Sequence, residues 1–316
     1  MSNKLALIVW ATGQDWKIIT QLLKNKWYNI MWISSDKNFY HWINCDIKWT
    51  NILDIDSVNN LFELYQPDEI YYLAAFHHSS EDILPTDEIL FKNSYDIHVL
   101  WYFNILSAVE KYCPNTNVVY ASSCLIFEWT ESYQQNEDTQ LKPESPYAIT
   151  KAEWMYLSDW YNKKYWIKTV NAILYNHESE YRSPKFVSMK IVSAAVNISK
   201  WLQDKLEIWN IDKQVDWWSA WDYCEAMIKL ISDNKIWNYI ISSGELHTIK
   251  DIIELAFWYM DLDWGKYVDI GTNLSRDNKS ILFWDSSKIF KDIGWKPKIK
   301  FEEMLYKMIQ SVLKLK

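Results

Sequence analysis

Along the first 175 positions, hydrophobic and polar residues alternate between two rhythms. Short apolar runs at 5–9, 28–33, 69–75, 117–121 and 168–174 have the length of strands, and they are separated by amphipathic stretches at 14–26, 57–65, 97–112 and 145–165. The run EIYYLAA at 69–75 is nearly all apolar, as a parallel strand buried on both faces should be. Pro146 opens the helix of 145–165, and Gln66-Pro67-Asp68 closes the one before the third strand. Strands alternating with helices predict right-handed βαβ units and a doubly wound parallel sheet. Beyond about residue 175 the rhythm is irregular, with helices at 186–200, 219–232, 248–260 and 301–314 and short strands near 206, 239, 267 and 281.

The stretch Leu5 to Trp16 sharpens this picture. An apolar run ends in a polar turn and an amphipathic helix follows, which is the opening of a dinucleotide-binding, Rossmann-type fold. Such a turn carries three glycines, here at positions 10, 13 and 16, but only Gly13 is glycine; the others are Trp10 and Trp16. Amide groups at a helix N-terminus must approach a pyrophosphate closely, so indoles at 10 and 16 are expected to fill that space. The fold class is thus α/β: a Rossmann-type doubly wound parallel sheet with a smaller C-terminal mixed α/β substrate lobe. The expected division is a cofactor domain over 1–175, joined by parts of 205–245, and a substrate lobe over most of 176–316.

Composition changes the reading of that turn. The 316 residues hold 5 glycines and 21 tryptophans. Together they make about 8 % of the chain, close to their usual joint share, although glycine alone normally reaches about 7 %. The simplest account is substitution of one for the other. Some genetic codes read UGA as glycine and others as tryptophan, so a glycine-decoding gene translated with the wrong table would give this chain. This is a hypothesis that the codons at the tryptophan positions decide. The net charge of −8 implies no surface for polyanions such as nucleic acid. No apolar run approaches the ~20 residues of a bilayer span, and the N-terminus is too short in apolar residues for a secretory signal. The four scattered cysteines, without CxxC spacing, read as free thiols of a cytoplasmic protein.

Candidate chemistry centres on Ser123, Tyr147 and Lys151. Tyr147 and Lys151 stand at i and i+4, on one helix face. A neighbouring ammonium favours phenolate, which would suit Tyr147 to exchange a proton with a substrate hydroxyl. Ser123 follows the fourth strand, at the carboxyl edge where such sheets bind ligands. His77-His78 lacks the spacing of a metal site and reads as cleft lining.

These residues sit in a longer series: ALIVWATGQDW, QPDEIYYLAAFHHSS, YASS, SPYAITK, NAILYNHES, FVSMKI, NIDKQVDWW, DYCEAM, SSGELHTIKDIIELAF and GWKPKIKFEEML. In them the chain resembles the extended short-chain dehydrogenase/reductases (the NAD-dependent epimerase/dehydratase family), and among these the GDP-mannose 4,6-dehydratases, nearly end to end. Against the family pattern, Trp10, Trp16, Trp27, Trp101, Trp209, Trp218 and Trp284 fall on usual glycines, whereas Trp217 and Trp295 fall on usual tryptophans. The resemblance implies conversion of a GDP-hexose to its 4-keto-6-deoxy form by internal hydride transfer. It makes Tyr147 the acid/base, has Ser123 bind the sugar hydroxyl, and has Lys151 hold the cofactor ribose. Trp10, Gly13, Gln14, Asp15 and Trp16 would form the phosphate turn. Leu73, Ala74, Ala75, His77, His177 and Arg182 would line the cofactor, with Asn51 and Ile52 at its adenine. Asn176, Val187, Lys190 and Arg276 would face the nucleotide sugar. A homodimer or homotetramer built on the helices of 97–112 and 147–165 is also implied.

One departure bears on the reaction. The family places a glutamate two residues after the Ser/Thr, where this chain has Leu125, with Ile126 next and Glu128 nearby. Oxidation at C4 remains feasible without that acid, but elimination does not obviously follow, so reduction or epimerisation of a related 4-keto sugar nucleotide stays open. A non-catalytic protein is the alternative if Trp10 and Trp16 are real. Val215 and Lys279 also depart from the family's nucleotide contacts. At the end of the second strand, Ser34 and Ser35 replace the acid common in NAD enzymes, and with Lys37 they favour NADP over NAD.

Overall fold

The computed structural model describes residues 4–10, 13–33, 47–48, 51–78, 82, 85–131, 134–271 and 283–314. Its centre is a parallel sheet of seven strands. They are β1 (Leu5–Val9), β2 (Asn29–Ile33), β3 (Ile47–Lys48), β4 (Glu69–Tyr72), β5 (Asn117–Ser123), β6 (Thr169–Leu174) and β7 (Trp237–Ile241). Their order is β7-β6-β5-β4-β1-β2-β3, so the winding reverses between β1 and β4. Crevices outside the carboxyl ends of strands at such a switch are where these sheets bind ligands. Successive residues of β1 serve opposite faces: Ala6 and Ile8 enter one buried cluster, Leu7 and Val9 the other. Full burial of each large aliphatic side chain stabilises the fold by roughly 1.5–3 kcal/mol.

One face is covered by α2 (Ile55–Tyr65), α4 (Trp101–Tyr112) and α5 (Pro146–Tyr165). The other is covered by α1 (Asp15–Lys24) and α7 (Ala220–Ser232). A further helix, α3 (Asp87–Tyr95), runs through a π-helical turn at Asp96–Leu100 into α4. The sequence pattern gives no sign of α3, because it buries only Ser94. The core of the second face continues into α6 (Val187–Ser199), α8 (Ile249–Tyr259) and the last helix, Phe301–Lys314. Short two-stranded pairings accompany them, including Asn176–Glu178 with Trp217–Ser219. No helix among the described residues is long and apolar enough to cross a membrane.

Five of the nine described non-glycine residues with positive φ are tryptophans: Trp10 (83°), Trp27 (62°), Trp166 (61°), Trp201 (59°) and Trp237 (75°). The others are Gln66, Asn210, Asn234 and Asp261, mostly types that tolerate this region. Trp27 and Trp201 close α1 and α6 in the same way. The amide after each reaches back to Leu23 O (3.2 Å) or Asn197 O (2.9 Å), the hydrogen bond of a Schellman cap, whose usual residue is glycine. Trp166 takes the left-handed position that ends α5. These three indoles are 79, 88 and 83 % exposed, in the order Trp27, Trp201, Trp166, so no packing compensates the backbone strain. Elsewhere Trp154 is fully buried and crowds Tyr120, with its indole N–H lacking a partner among the described residues.

The left-handed conformation costs a residue with a β-carbon roughly 1–2 kcal/mol, and glycine returns part of that through the entropy of its unfolded chain. Trp27→Gly, Trp166→Gly and Trp201→Gly are therefore expected to raise stability by about 0.5–1 kcal/mol each in urea unfolding. Losses of similar size would mean that the indoles make contacts this structure does not contain.

Candidate active site

Ser123 ends β5 and Tyr147 and Lys151 lie on the first turns of α5, so the strand end and the helix start face each other. Ser145 caps α5, its hydroxyl accepting from Ala148 N (3.2 Å), and Pro146 takes the first helical position. The Tyr147 hydroxyl hydrogen-bonds Ser123. Lys151 Nζ lies 5.7 Å from the Tyr147 ring centre. Thus the three residues singled out in the sequence converge at the carboxyl edge of the sheet.

Their electrostatics differ from expectation. Burial pushes Tyr147 well above the usual tyrosine range, opposed by the Ser123 hydrogen bond and the Arg182 charge. The ammonium of Lys151 was expected to lower it. Lys151 is instead almost fully buried; its Nζ donates to Ala121 O at 2.8 Å and to Ala74 O at 3.5 Å, and lies 4.4 Å above Tyr120. Burial pushes this lysine well below its usual range, which weakens the charge that the tyrosine was to feel.

Behind Tyr147 stands His98, which the sequence reading missed. Its Nε2 accepts from Phe76 N (3.0 Å), so Nδ1 carries the proton and donates to Thr150 Oγ1 (2.8 Å). Thr150 in turn donates to the carbonyl of Pro146 (2.9 Å). Burial holds His98 well below the usual histidine range, which keeps this arrangement neutral. Tyr147 is gripped edge-on between His77 (5.0 Å) and His98 (5.2 Å).

The phosphate turn precedes α1. Gly13 has φ +93°, and a β-carbon built there would meet nothing within 4 Å, so the space before the turn is open. Gln14 is buried and ties the turn to the strand Asn176–Glu178: its Nε2 donates to His177 O (2.7 Å), and its Oε1 accepts from Ser179 (2.8 Å). The expected obstruction by Trp16 is corrected. Trp16 is 4 % exposed and packs edge-on to Trp32 at 5.3 Å, because its place in the first helical turn aims it at the sheet. Trp10 leans on Trp101 at 5.6 Å.

Asp15 and His177 join the turn to the C-terminal lobe. His177 Nδ1 donates to Tyr175 O (2.8 Å), and Nε2 lies 3.1 Å from Asp15 Oδ2. Burial alone would lower this histidine; the Asp15 carboxylate outweighs it and holds the pKa above 6.5. The folded value being raised, the pair's stabilisation is complete below 6.5 and fades as pH rises through the folded pKa. Denaturation titrations should show this alkaline-side loss, and His177→Asn should flatten it; an unchanged slope would count against the pair. Arg182 Nε pairs with Glu178 at 3.1 Å, and the guanidinium lies 3.6 Å above the Phe186 ring.

The remaining candidates are more scattered. Leu73, Ala74 and Ala75 leave β4 before the strand length expected, and Leu73 N still bonds Val9 O (3.1 Å). Asn51 is exposed, whereas the Ile52 side chain is in the core, leaving only its backbone for an adenine. Asn104 fixes that loop by donating to Ile52 O (2.8 Å), a contact the sequence reading missed. Asn176 is exposed on its short strand, Val187 opens α6, and Lys190 one turn later lies 5.3 Å over Trp209. Ser34, Ser35 and Arg276 fall outside the described residues.

Glu128 is not a spare acid for the cleft. It is 3 % exposed and accepts from Glu144 N (3.1 Å), Ser145 N (3.1 Å) and Ser145 Oγ (3.3 Å), which fixes the entry to α5. Ile126 is buried, and Leu125 is aliphatic and half-buried in the 3-10 turn Cys124–Phe127.

The chain is similar to known proteins along nearly its whole length. The family described as "GDP-mannose 4,6 dehydratase" matches residues 5–308. GDP-mannose 4,6 dehydratase 1 of Arabidopsis thaliana is 31 % identical over 335 residues, covering 99 % of this chain and 91 % of that protein. Among solved structures, RMD from Pseudomonas aeruginosa complexed with NADPH has a TM-score of 0.80 at 19 % identity, covering 98 % of this chain and 99 % of its own. The dTDP-glucose 4,6-dehydratase of Bacillus anthracis in complex with NAD has a TM-score of 0.82 at 18 % identity, covering 98 and 97 %. At these identities the two structures establish the fold alone. The family match over nearly the whole chain, together with the Arabidopsis relative, establishes more: this chain belongs to the GDP-mannose 4,6-dehydratase family.

Proposed function

We propose that this protein converts GDP-mannose to its 4-keto-6-deoxy form by internal hydride transfer through NADP. The observation that carries the reading is the convergence of Ser123, Tyr147 and Lys151 beside an open phosphate turn, in a chain of this family. When bound, NADP accepts a hydride at one stage and returns it at another. The open space at Gly13, the N-terminus of α1, the nearby imidazole of His177 and the guanidinium of Arg182 suit a dinucleotide diphosphate. Trp10, Gly13, Gln14, Asp15 and Trp16 form that turn; Ser34 and Ser35 take the 2′-phosphate, and Asn51 and Ile52 the adenine. Leu73, Ala74 and Ala75 line the nicotinamide end.

Ser123 holds the C4 hydroxyl, and Tyr147 takes its proton while Lys151 supports the ribose and the tyrosine. Asn176, Val187, Lys190 and Arg276 hold the GDP-sugar, so the cofactor domain is 1–175 and the sugar lobe mainly 176–316. We assign the protein to the cytoplasm, as a homodimer or homotetramer. Leu100 and Phe103 at the start of α4 and Tyr156 and Trp160 on α5 are exposed, and they suit a helix-to-helix contact with a second copy.

The test is incubation with GDP-mannose and no added reductant. A product lighter by one water supports the proposal. Turnover of keto sugars alone, with NADPH consumed, would make the protein a reductase.

A further inference from the structure

The proposed reaction needs a group that removes the C5 proton and delivers one to the departing C6 oxygen. Leu125 has no acid to offer, and Glu128 is locked into the start of α5. The other carboxylates around the cleft are engaged. Asp15 faces His177, Glu178 faces Arg182 and Ser188, and Asp82 faces Lys185. Asp216 is buried, accepting from Ser243 and Gly244. By contrast, His77 lies just past the end of β4, a residue open to solvent whose ring turns in toward the cleft. It makes edge-to-face contact with Tyr147 at 5.0 Å and a tilted contact with Phe186 at 5.7 Å.

We propose that His77 is the acid/base of the elimination step, in place of the missing carboxylate. This rests on the dehydratase reading above. Neutral His77 takes the proton from C5, made acidic by the C4 ketone. The electrons of that C5–H bond form the C5=C6 double bond as the C6–O bond breaks, and the imidazolium gives its proton to the leaving oxygen, releasing water. His77 ends neutral, and no external reductant is needed. Its surroundings favour the neutral start: burial in the cleft and the charges of Arg182 and Lys151 hold it below the usual histidine range. Tyr147 keeps the proton taken from the C4 hydroxyl and returns it to C5 when C6 is reduced.

The test uses His77→Ala, and His77→Ala combined with Leu125→Glu, in D2O with GDP-mannose. Three readouts are followed: absorbance of the reduced nicotinamide in a single turnover, deuterium entry at C5, and product. In His77→Ala the nicotinamide should still be reduced within a few-fold of the parent rate. C5 exchange and product should fall by about 10²-fold or more. Leu125→Glu should then restore both by at least about tenfold, since it places a carboxylate where the family has one. Parent-like product formation by His77→Ala overturns the proposal and leaves the dehydratase reading intact. Loss of nicotinamide reduction in that variant also overturns it, because His77 would then act before the elimination. If the parent itself makes no 4-keto-6-deoxy product, both readings fall.

Discussion

Tyr147→Phe is expected to lower turnover of GDP-mannose by about 10²–10⁴-fold, the usual worth of a positioned acid/base. The ring contacts with His77 and His98 are kept by phenylalanine, so the site should retain its shape. What goes is the hydroxyl that bonds Ser123 and meets the C4 hydroxyl. The loss should therefore lie in kcat, with KM for GDP-mannose changed only a few-fold. It should also block reduction of the bound nicotinamide, which separates it from His77→Ala. A variant that still reduces the nicotinamide at the parent rate would remove Tyr147 from the first step.

The second large effect concerns the phosphate turn. A chain carrying both Trp10→Gly and Trp16→Gly is expected to bind NADP about tenfold or more tightly, since glycine at position 10 leaves no side chain where the backbone amides must approach the pyrophosphate. Trp10 holds φ 83° at the mouth of the turn, where glycine is unstrained. Trp16 wedges its indole between α1 and β2, against Trp32. Truncating a large side chain in a core shaped for it costs about 3–5 kcal/mol. If position 16 is a glycine position, α1 can settle onto the sheet and the loss will be well below that. Equal, tight binding by both chains would refute the argument, as would UGG codons at the two positions.

The sequence pattern exposes the sheet because parallel strands buried on both faces leave uninterrupted apolar runs. It hides α3, which buries almost nothing, and shows β4 too long because Leu73 to Ala75 are apolar for the cleft rather than for pairing. Ser123, Tyr147 and Lys151 are legible because one helical repeat and one strand end suffice to place them. The rest depends on tertiary contacts. His98 meets Thr150, and Asn104 meets Ile52, each across 52 residues. Glu128 is spent on backbone amides 16 and 17 residues downstream. The direction of the Tyr147 shift follows from burial, which the spacing of a tyrosine and a lysine does not reveal. The tryptophans show both limits at once. Their excess is visible in composition, but only backbone angles show that five of them occupy conformations suited to glycine.

The central claim is internal hydride transfer by a dehydratase. GDP-mannose labelled with deuterium at C4 tests it most directly, with the enzyme and its bound cofactor and no added nucleotide. The expected product is a 4-keto-6-deoxy sugar nucleotide carrying the label at C6. A requirement for added NADPH, or a product that keeps its C6 hydroxyl, would contradict the account.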